Sequence, residues 1–221
     1  MDSTQEEAKR LIKANKASND QVITCITQTA GKGRQGREWI SDEGNLFFSL
    51  LADSKNFILP QHSAIITPLV ISNALQAIPT QIKWPNDIII EGKKLCGILI
   101  EKISNYIIIG VGVNNNSRPE FLDKERKATC LAEYVSIDNN NLLKDILSAY
   151  KAIMVEYKTS GLENLRTEYL KRLYKYNQNI ELDYLGKKVS GTIIDVNNEG
   201  ELILETLSGT EIFKTGEIFE L

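Results

Sequence analysis

Residues 81–113 read QIKWPNDIIIEGKKLCGILIEKISNYIIIGVGV. Four apolar, largely β-branched runs stand here, Ile82–Trp84, Ile88–Ile90, Leu95–Lys102 and Tyr106–Val113. The turn signals Pro85-Asn86-Asp87, Glu91-Gly92-Lys93 and Ser104-Asn105 fall between them. Short polar turns between strand-like runs predict consecutive hairpins, and so a largely antiparallel sheet. Upstream, Asn45–Leu51 reads as a further buried strand, and Val22–Thr27 as a short β-rich run. Pro60 opens a helix whose apolar positions Ile65, Ile66, Leu69, Val70 and Ala74 recur at helical spacing. At the start, Ser3 and Thr4 precede Glu6 and Glu7 at capping-box spacing, and Leu11 and Ile12 supply an apolar face to about residue 17.

Downstream come a polar loop, 114–127, and two helices near 139–159 and 161–173. After Tyr176 the helical period stops, and short strands are broken by Leu185-Gly186, Asn198-Glu199-Gly200 and Ser208-Gly209. A tail of roughly 45 residues is too small to hold a core alone, so it should pack on the main body. The predicted fold is α+β: a mixed, largely antiparallel sheet with helices over 1–175, and a small barrel-like β domain over 176–221. Apolar edges around 106–113 would suit a homodimer, with a monomer as the alternative.

Composition narrows the function classes. The formal charge, 26 − 29 = −3, offers no general attraction to nucleic acid or an anionic membrane, so any polyanion must meet a local cluster of cations. No apolar run approaches the ~20 residues of a membrane span, and the opening Met-Asp-Ser-Thr-Gln-Glu-Glu lacks the regions of a signal peptide. Cys25, Cys96 and Cys130 are far apart and odd in number, which favours a reducing cytoplasm over a disulfide framework. One histidine is too few for a His-built metal site, and no metal ligand set is identified. His62 reads as a solvated helix residue and the cysteines as small core residues.

One stretch is rich in cations. Residues 31–39, GKGRQGREW, hold three glycines, Lys32, Arg34, Arg37 and Trp39. A dinucleotide fingerprint needs a helix directly after the glycines, yet 37–44 lack helical periodicity. No Gly-Lys-Ser/Thr follows, so a Walker loop fails too. Three fixed cations within six residues repel each other unless an anion gathers them, and arginine suits carboxylate and phosphate.

Lys83-Trp84-Pro85-Asn86-Asp87, then Lys94-Leu95-Cys96-Gly97-Ile98-Leu99-Ile100-Glu101, downstream of that loop, closely resembles the biotin–protein ligases (biotin–[acetyl-CoA-carboxylase] ligases). Asp2-Ser3-Thr4, Gln28, Gly110-Val111-Gly112-Val113-Asn114-Asn115-Asn116 and Ala128-Thr129-Cys130-Leu131 fit the same pattern in order. So does a tail carrying Gly191, Gly200, Leu202 and Gly216-Glu217. The resemblance implies a catalytic domain like that of class II aminoacyl-tRNA synthetases and an SH3-like C-terminal domain. Where the family usually has Arg and Asn, this chain has Lys32 and Gln5. A short strand usually precedes the family's D-S-T; only Met1 does here. Some members carry an N-terminal helix-turn-helix for which this chain has no room, so the ligase-only form is expected.

The implied reaction activates biotin with ATP as biotinyl-5′-AMP, then passes biotin to a lysine of a biotin carboxyl carrier protein or domain. ATP with Mg2+ and biotin enter as substrates, with no tightly bound cofactor and no nucleic-acid partner. By the same resemblance, Ser3, Thr4 and Gln28 hydrogen-bond the ureido ring, with Gln5 beside them. Lys32, Gly33 and Arg34 run along the biotin tail and phosphate, Arg37 reaches phosphate, Trp39 stacks on adenine and Asn114 reads its edge. Lys94 takes the carboxylate and α-phosphate, Asn86 steadies its turn at the nucleotide, and Asp87 orients or deprotonates the acceptor lysine. Trp84 and Pro85 shape the site. Rival readings are a lipoate–protein ligase, a DNA-binding biotin sensor and, weakened by the missing helix, a nicotinamide oxidoreductase.

Overall fold

The computed structural model describes residues 1–119 and 127–219; the centre of the predicted polar loop, 120–126, lies outside the described residues. The hairpins form as the turns predict. Strands β1 (Gln21–Cys25), β2 (Leu46–Asp53), β3 (Gln81–Lys83), β4 (Asp87–Ile90), β5 (Lys93–Ile103) and β6 (Tyr106–Val113) make one sheet in the order β1-β2-β6-β5-β4-β3. Every neighbouring pair in it is antiparallel. Glu91 and Gly92, at φ +51° and +74°, supply the left-handed turn between β4 and β5. The expected dimer edge at 106–113 is not an edge: β6 is paired with β2 on one side and β5 on the other, the outermost strands are β1 and β3, and β3 is bridged at Ile82 by Leu173.

Because β6 is central, both of its faces are covered, which is why Ile107–Val113 reads as a continuous apolar run. Side chains still alternate. Ile107, Ile109, Val111 and Val113 join Leu46, Phe48, Leu50 and Ala52 of β2, and Cys96 and Ile98 of β5, in the main core. That core lies under α2 (Ser63–Ala74), α3 (Asn139–Ser160) and α4 (Glu163–Arg172). The opposite face carries Ile108, Gly110 and Gly112 on β6, Phe47, Ser49 and Leu51 on β2, and Gly97, Leu99 and Glu101 on β5. There α1 (Thr4–Lys13) covers one end, packing Ala8 on Ile23, Leu51 and Ile108. The other end keeps glycines in place of side chains. The alternation that builds the core thereby leaves a shallow floor on the reverse face.

Helix α1 begins as the capping pattern indicates, with Ser3 Oγ accepting from Gln5 N at 3.2 Å. It stops at Lys13 rather than near residue 17, because Asn15 turns left-handed at φ +55°. Helix α2 is apolar all round, as suits a helix wedged between a sheet and other helices. After Tyr176, β7 (Asn179–Tyr184), β8 (Lys187–Val196), β9 (Leu202–Thr206), β10 (Gly209–Phe213) and β11 (Glu217–Phe219) form a second antiparallel sheet, ordered β10-β9-β8-β7-β11. Its buried Ile180, Leu182, Ile193, Leu202 and Leu204 belong to the same core as the main sheet. Trp84 Nε1 donates to Gly200 O at 2.8 Å across the junction. No helix among the described residues is long and apolar enough to cross a membrane.

His62 corrects another expectation. It is buried at 5 % exposure, with Nδ1 2.6 Å from the Tyr157 hydroxyl, because the turn before α2 tucks it against α3. Burial lowers its pKa from the ordinary 6.5, against the smaller opposing influence of Glu199. A histidine held neutral when folded costs nothing above its unfolded value. As pH falls below about 6.5 the unfolded chain takes up the proton first, so stability declines until the folded pKa is reached. Melting temperature should therefore drop between pH 7.5 and 5.5, and His62→Gln should flatten that slope. Parallel pH profiles for the two proteins would overturn the assignment.

Candidate active site

Above the glycine floor lies a cleft of about 460 Å3, within the range of small-molecule sites. Its two ends differ in chemistry.

At the α1 end the groups that line the cleft, Ser3, Thr4, Gln5 and Gln28, are neutral, and hydrogen bonds hold them in place. Ser49 Oγ donates to Thr4 Oγ1 (2.9 Å) or Gln5 Oε1 (3.0 Å), and Gln5 Nε2 donates to Glu101 Oε2 at 2.8 Å. Thr4 N donates to Gln28 Oε1 at 2.9 Å, while Gln28 Nε2 donates to Ser41 Oγ at 3.0 Å. The helix start therefore brings Ser3, Thr4 and Gln5 together with Gln28, which the sequence places 23 residues or more away. Ser49 and Ser41 were missed in the sequence reading. Ser49 had a signal: it is the one polar residue inside the apolar run 46–52.

At the other end are the cations. The lining includes Lys32, Arg34, Arg37, Lys83, Lys94 and Lys127 against Glu38, Asp87 and Glu217, six positive and three negative side chains in a chain of net −3. The cleft thus concentrates positive charge that the whole chain does not have. Lys83, quoted in the sequence only as the start of its motif, and Lys127 were given no role there. The 31–39 loop is itself a small closed hairpin. Trp39 N donates to Gly31 O (3.0 Å) and Gly33 N to Arg37 O (2.8 Å), with Gln35 and Gly36 left-handed at the tip.

The two arginines are held by the protein, which corrects the view that only an anion can gather this cluster. Arg37 Nη2 meets Glu217 Oε2 at 2.8 Å. Arg34 Nη1 donates to Asn86 Oδ1 (2.9 Å) and Nη2 to Thr215 Oγ1 (2.6 Å). Burial lowers the Arg34 pKa most; Asp87 and Glu217 oppose that and Arg37 adds to it. Arginine stays charged regardless.

Asn86 and Asp87 lie in a turn entered through a cis Trp84–Pro85 bond. Asn86 exchanges two hydrogen bonds with Ile98 of β5, Nδ2 to O and O from N, each 2.9 Å, which aims its remaining oxygen at Arg34. Asp87 Oδ1 is 2.7 Å from Lys94 Nζ. Lys94 is fixed along its backbone by 127–129: its N donates to Lys127 O (2.8 Å) and its O accepts from Thr129 N (2.9 Å). Asn114 is buried, and its Nδ2 donates to Thr129 O at 3.0 Å, tying that segment to the end of β6.

Trp39 joins the two ends. Its ring lies on Gly97 and Gly112, which face each other across β5 and β6; a Cβ on either would come within 2.5 Å of the indole. Lys94 Nζ stands 5.3 Å from the ring centroid. The indole N–H is buried with no acceptor among the described residues.

Residues 1–114 match the Biotin/lipoate A/B protein ligase family and residues 176–219 the Biotin protein ligase C terminal domain. The chain is 32% identical to the bifunctional ligase/repressor BirA of Bacillus subtilis, over 99% of this chain and 71% of that protein. It is 26% identical to a biotin–[acetyl-CoA-carboxylase] ligase of Paracoccus denitrificans, over 99% of this chain and 97% of the relative. Among solved structures, a biotin protein ligase from Aquifex aeolicus in complex with biotin and ATP superposes with a TM-score of 0.85 at 29% identity, covering 99% of this chain and 94% of that one. A cleft with a neutral hydrogen-bonding end, a cationic end and a bare glycine floor is thus found in a chain that belongs to the biotin/lipoate A/B protein ligase family.

Proposed function

We propose that this protein is an ATP-dependent biotin–protein ligase that activates biotin as biotinyl-5′-AMP and transfers it to a lysine of a biotin carboxyl carrier domain. The observation that carries this is the Pro85-Asn86-Asp87 turn, whose neighbouring residues hold two cations from different parts of the chain, Arg34 through Asn86 and Lys94 through Asp87. Two anions can be brought together between those cations. The opposite end, with Thr4, Gln28 and Ser49, offers donors and acceptors to a neutral ureido ring.

In the first step a biotin carboxylate oxygen bonds to the α-phosphorus of Mg-ATP, and the bond from that phosphorus to the pyrophosphate oxygen breaks. Lys94 and Arg34 offset the repulsion of the approaching carboxylate and phosphate and stabilise the charge on the transferring group. Arg37 and Lys32 extend the positive field toward the departing pyrophosphate. Trp39, seated on Gly97 and Gly112, stacks on adenine beside Lys94, with Asn114 at the adenine edge. In the second step the acceptor amine attacks the acyl carbon and AMP leaves. Asp87, once Lys94 is engaged by the substrate anions, accepts or directs the ammonium proton. Mg2+ arrives on the phosphates of ATP. Residues 1–175 act as the class II synthetase-like catalytic domain and 176–221 as an SH3-like domain whose last turn closes the phosphate side.

Mass spectrometry of a biotin carrier domain after incubation with the protein, biotin and Mg-ATP should show a gain of one biotinyl group. A parallel arm with lipoate should give none. No adduct with folded protein would sink the reading, and an adduct in the lipoate arm alone would replace it with a lipoate ligase.

A further inference from the structure

The segment Lys214–Glu217 enters the site from the second sheet. Its path is tightly defined. Phe213 before it and Ile218 after it are buried, at 3 % and 1 % exposure. Gly216 presses on β7 so closely that a Cβ would stand 2.7 Å from Leu182 Cδ1 and 3.0 Å from Asp183 O. Thr215 is thereby placed by the core of the second sheet and not by the loop it touches. Its Oγ1 lies 2.6 Å from Arg34 Nη2. Arg34 in turn sits at the tip of a glycine-rich hairpin, where Gln35 and Gly36 are left-handed and exposed and Arg34 itself is only half-buried. Without outside partners such a tip has little to order it.

We infer that Thr215 is a positioning residue for the phosphate-binding arginine: with Asn86 it forms a two-point clamp that fixes the Arg34 guanidinium before nucleotide arrives. This inference rests on the ligase reading above and deepens it. Asn86 takes Nη1 and Thr215 takes Nη2, so the plane of the fork is set from two rigid elements, the turn after β3 and the turn before β11. Pre-organisation of this kind lowers the ordering cost of binding. The effect should fall on the cationic end of the cleft and spare the neutral end, where no group contacts Thr215.

The test compares Thr215→Ala, Thr215→Ser and wild type by biotin-dependent ATP–pyrophosphate exchange, and by limited trypsin digestion without ligands. Loss of one hydrogen bond to a charged group predicts a rise of about 10-fold in the KM for ATP, an unchanged KM for biotin, and recovery of most of the loss by Thr215→Ser. Trypsin should cut Thr215→Ala after Arg34 faster by about the same factor, since cleavage follows the open population of the loop. Unchanged KM for ATP and unchanged nicking in Thr215→Ala would overturn the clamp, as would equal rises in both KM values. Absence of exchange in wild type would instead overturn the ligase reading, and the trypsin arm would still decide the clamp.

Discussion

Lys94→Ala should lower biotin-dependent ATP–pyrophosphate exchange by roughly 10- to 150-fold, the equivalent of ~1.5–3 kcal/mol for a lost charge-assisted contact. The side chain stands 2.7 Å from Asp87 and above the Trp39 ring, so its ammonium faces the middle of the cleft. Without it a carboxylate and an α-phosphate would confront each other beside the unpaired Asp87. Stability should change little, because the Lys94–Asp87 pair is partly exposed and such pairs contribute about 0–1 kcal/mol. Lys94→Arg should not restore the rate, since a planar fork on a different stem cannot place a compact charge at the same point. Wild-type exchange rates in Lys94→Ala would reduce Lys94 to an ordinary strand-end lysine.

Gly112→Ala should be nearly as damaging for a purely steric reason. The new Cβ would lie 2.5 Å from both Cε2 and Nε1 of Trp39. Strand β6 cannot retreat, because it is hydrogen-bonded to β2 and β5 at this level, Gly112 opposing Phe47 on one side and Gly97 on the other. The indole must therefore leave its seat. Overpacking of this kind costs about 1–3 kcal/mol, or roughly 5- to 150-fold in exchange if the ring position matters for nucleotide. In a Trp39→Ala background the same substitution should add little further loss. An equal loss in both backgrounds would mean that Gly112 serves something other than Trp39.

The 81–113 hairpins, a helix after Pro60 carrying Ile65, Ile66, Leu69, Val70 and Ala74, and the shift from helical to strand period after Tyr176 could be read directly, though the helix proper starts at Ser63 and Pro60–His62 forms a separate turn. In each, neighbours along the chain are neighbours in space, so periodicity and turn residues carry the information. Arg34 was legible as a candidate residue through the cation cluster of the loop, and Asp87 and Lys94 through the resemblance of the Lys83–Asp87 stretch and its hairpin to the biotin–protein ligases. Their partners were not. That Arg34 meets Thr215 and Arg37 meets Glu217, some 180 residues away in sequence, depends on how the second sheet docks on the first.

His62 looked solvated because a lone histidine before a helix has no periodic signature; only the approach of α3 buries it. The strand 106–113 looked available as an edge because its apolar run does not reveal how many strands flank it. Local pattern thus determined which segments are helix or strand and which residue types could handle a carboxylate and a phosphate. Tertiary packing alone decided which glycines form the floor, because strand alternation assigns Gly97, Gly110 and Gly112 to one face only once register is set. It also decided which groups restrain the cations, because side-chain hydrogen bonds and ion pairs act over about 3 Å in space, whatever the separation along the chain.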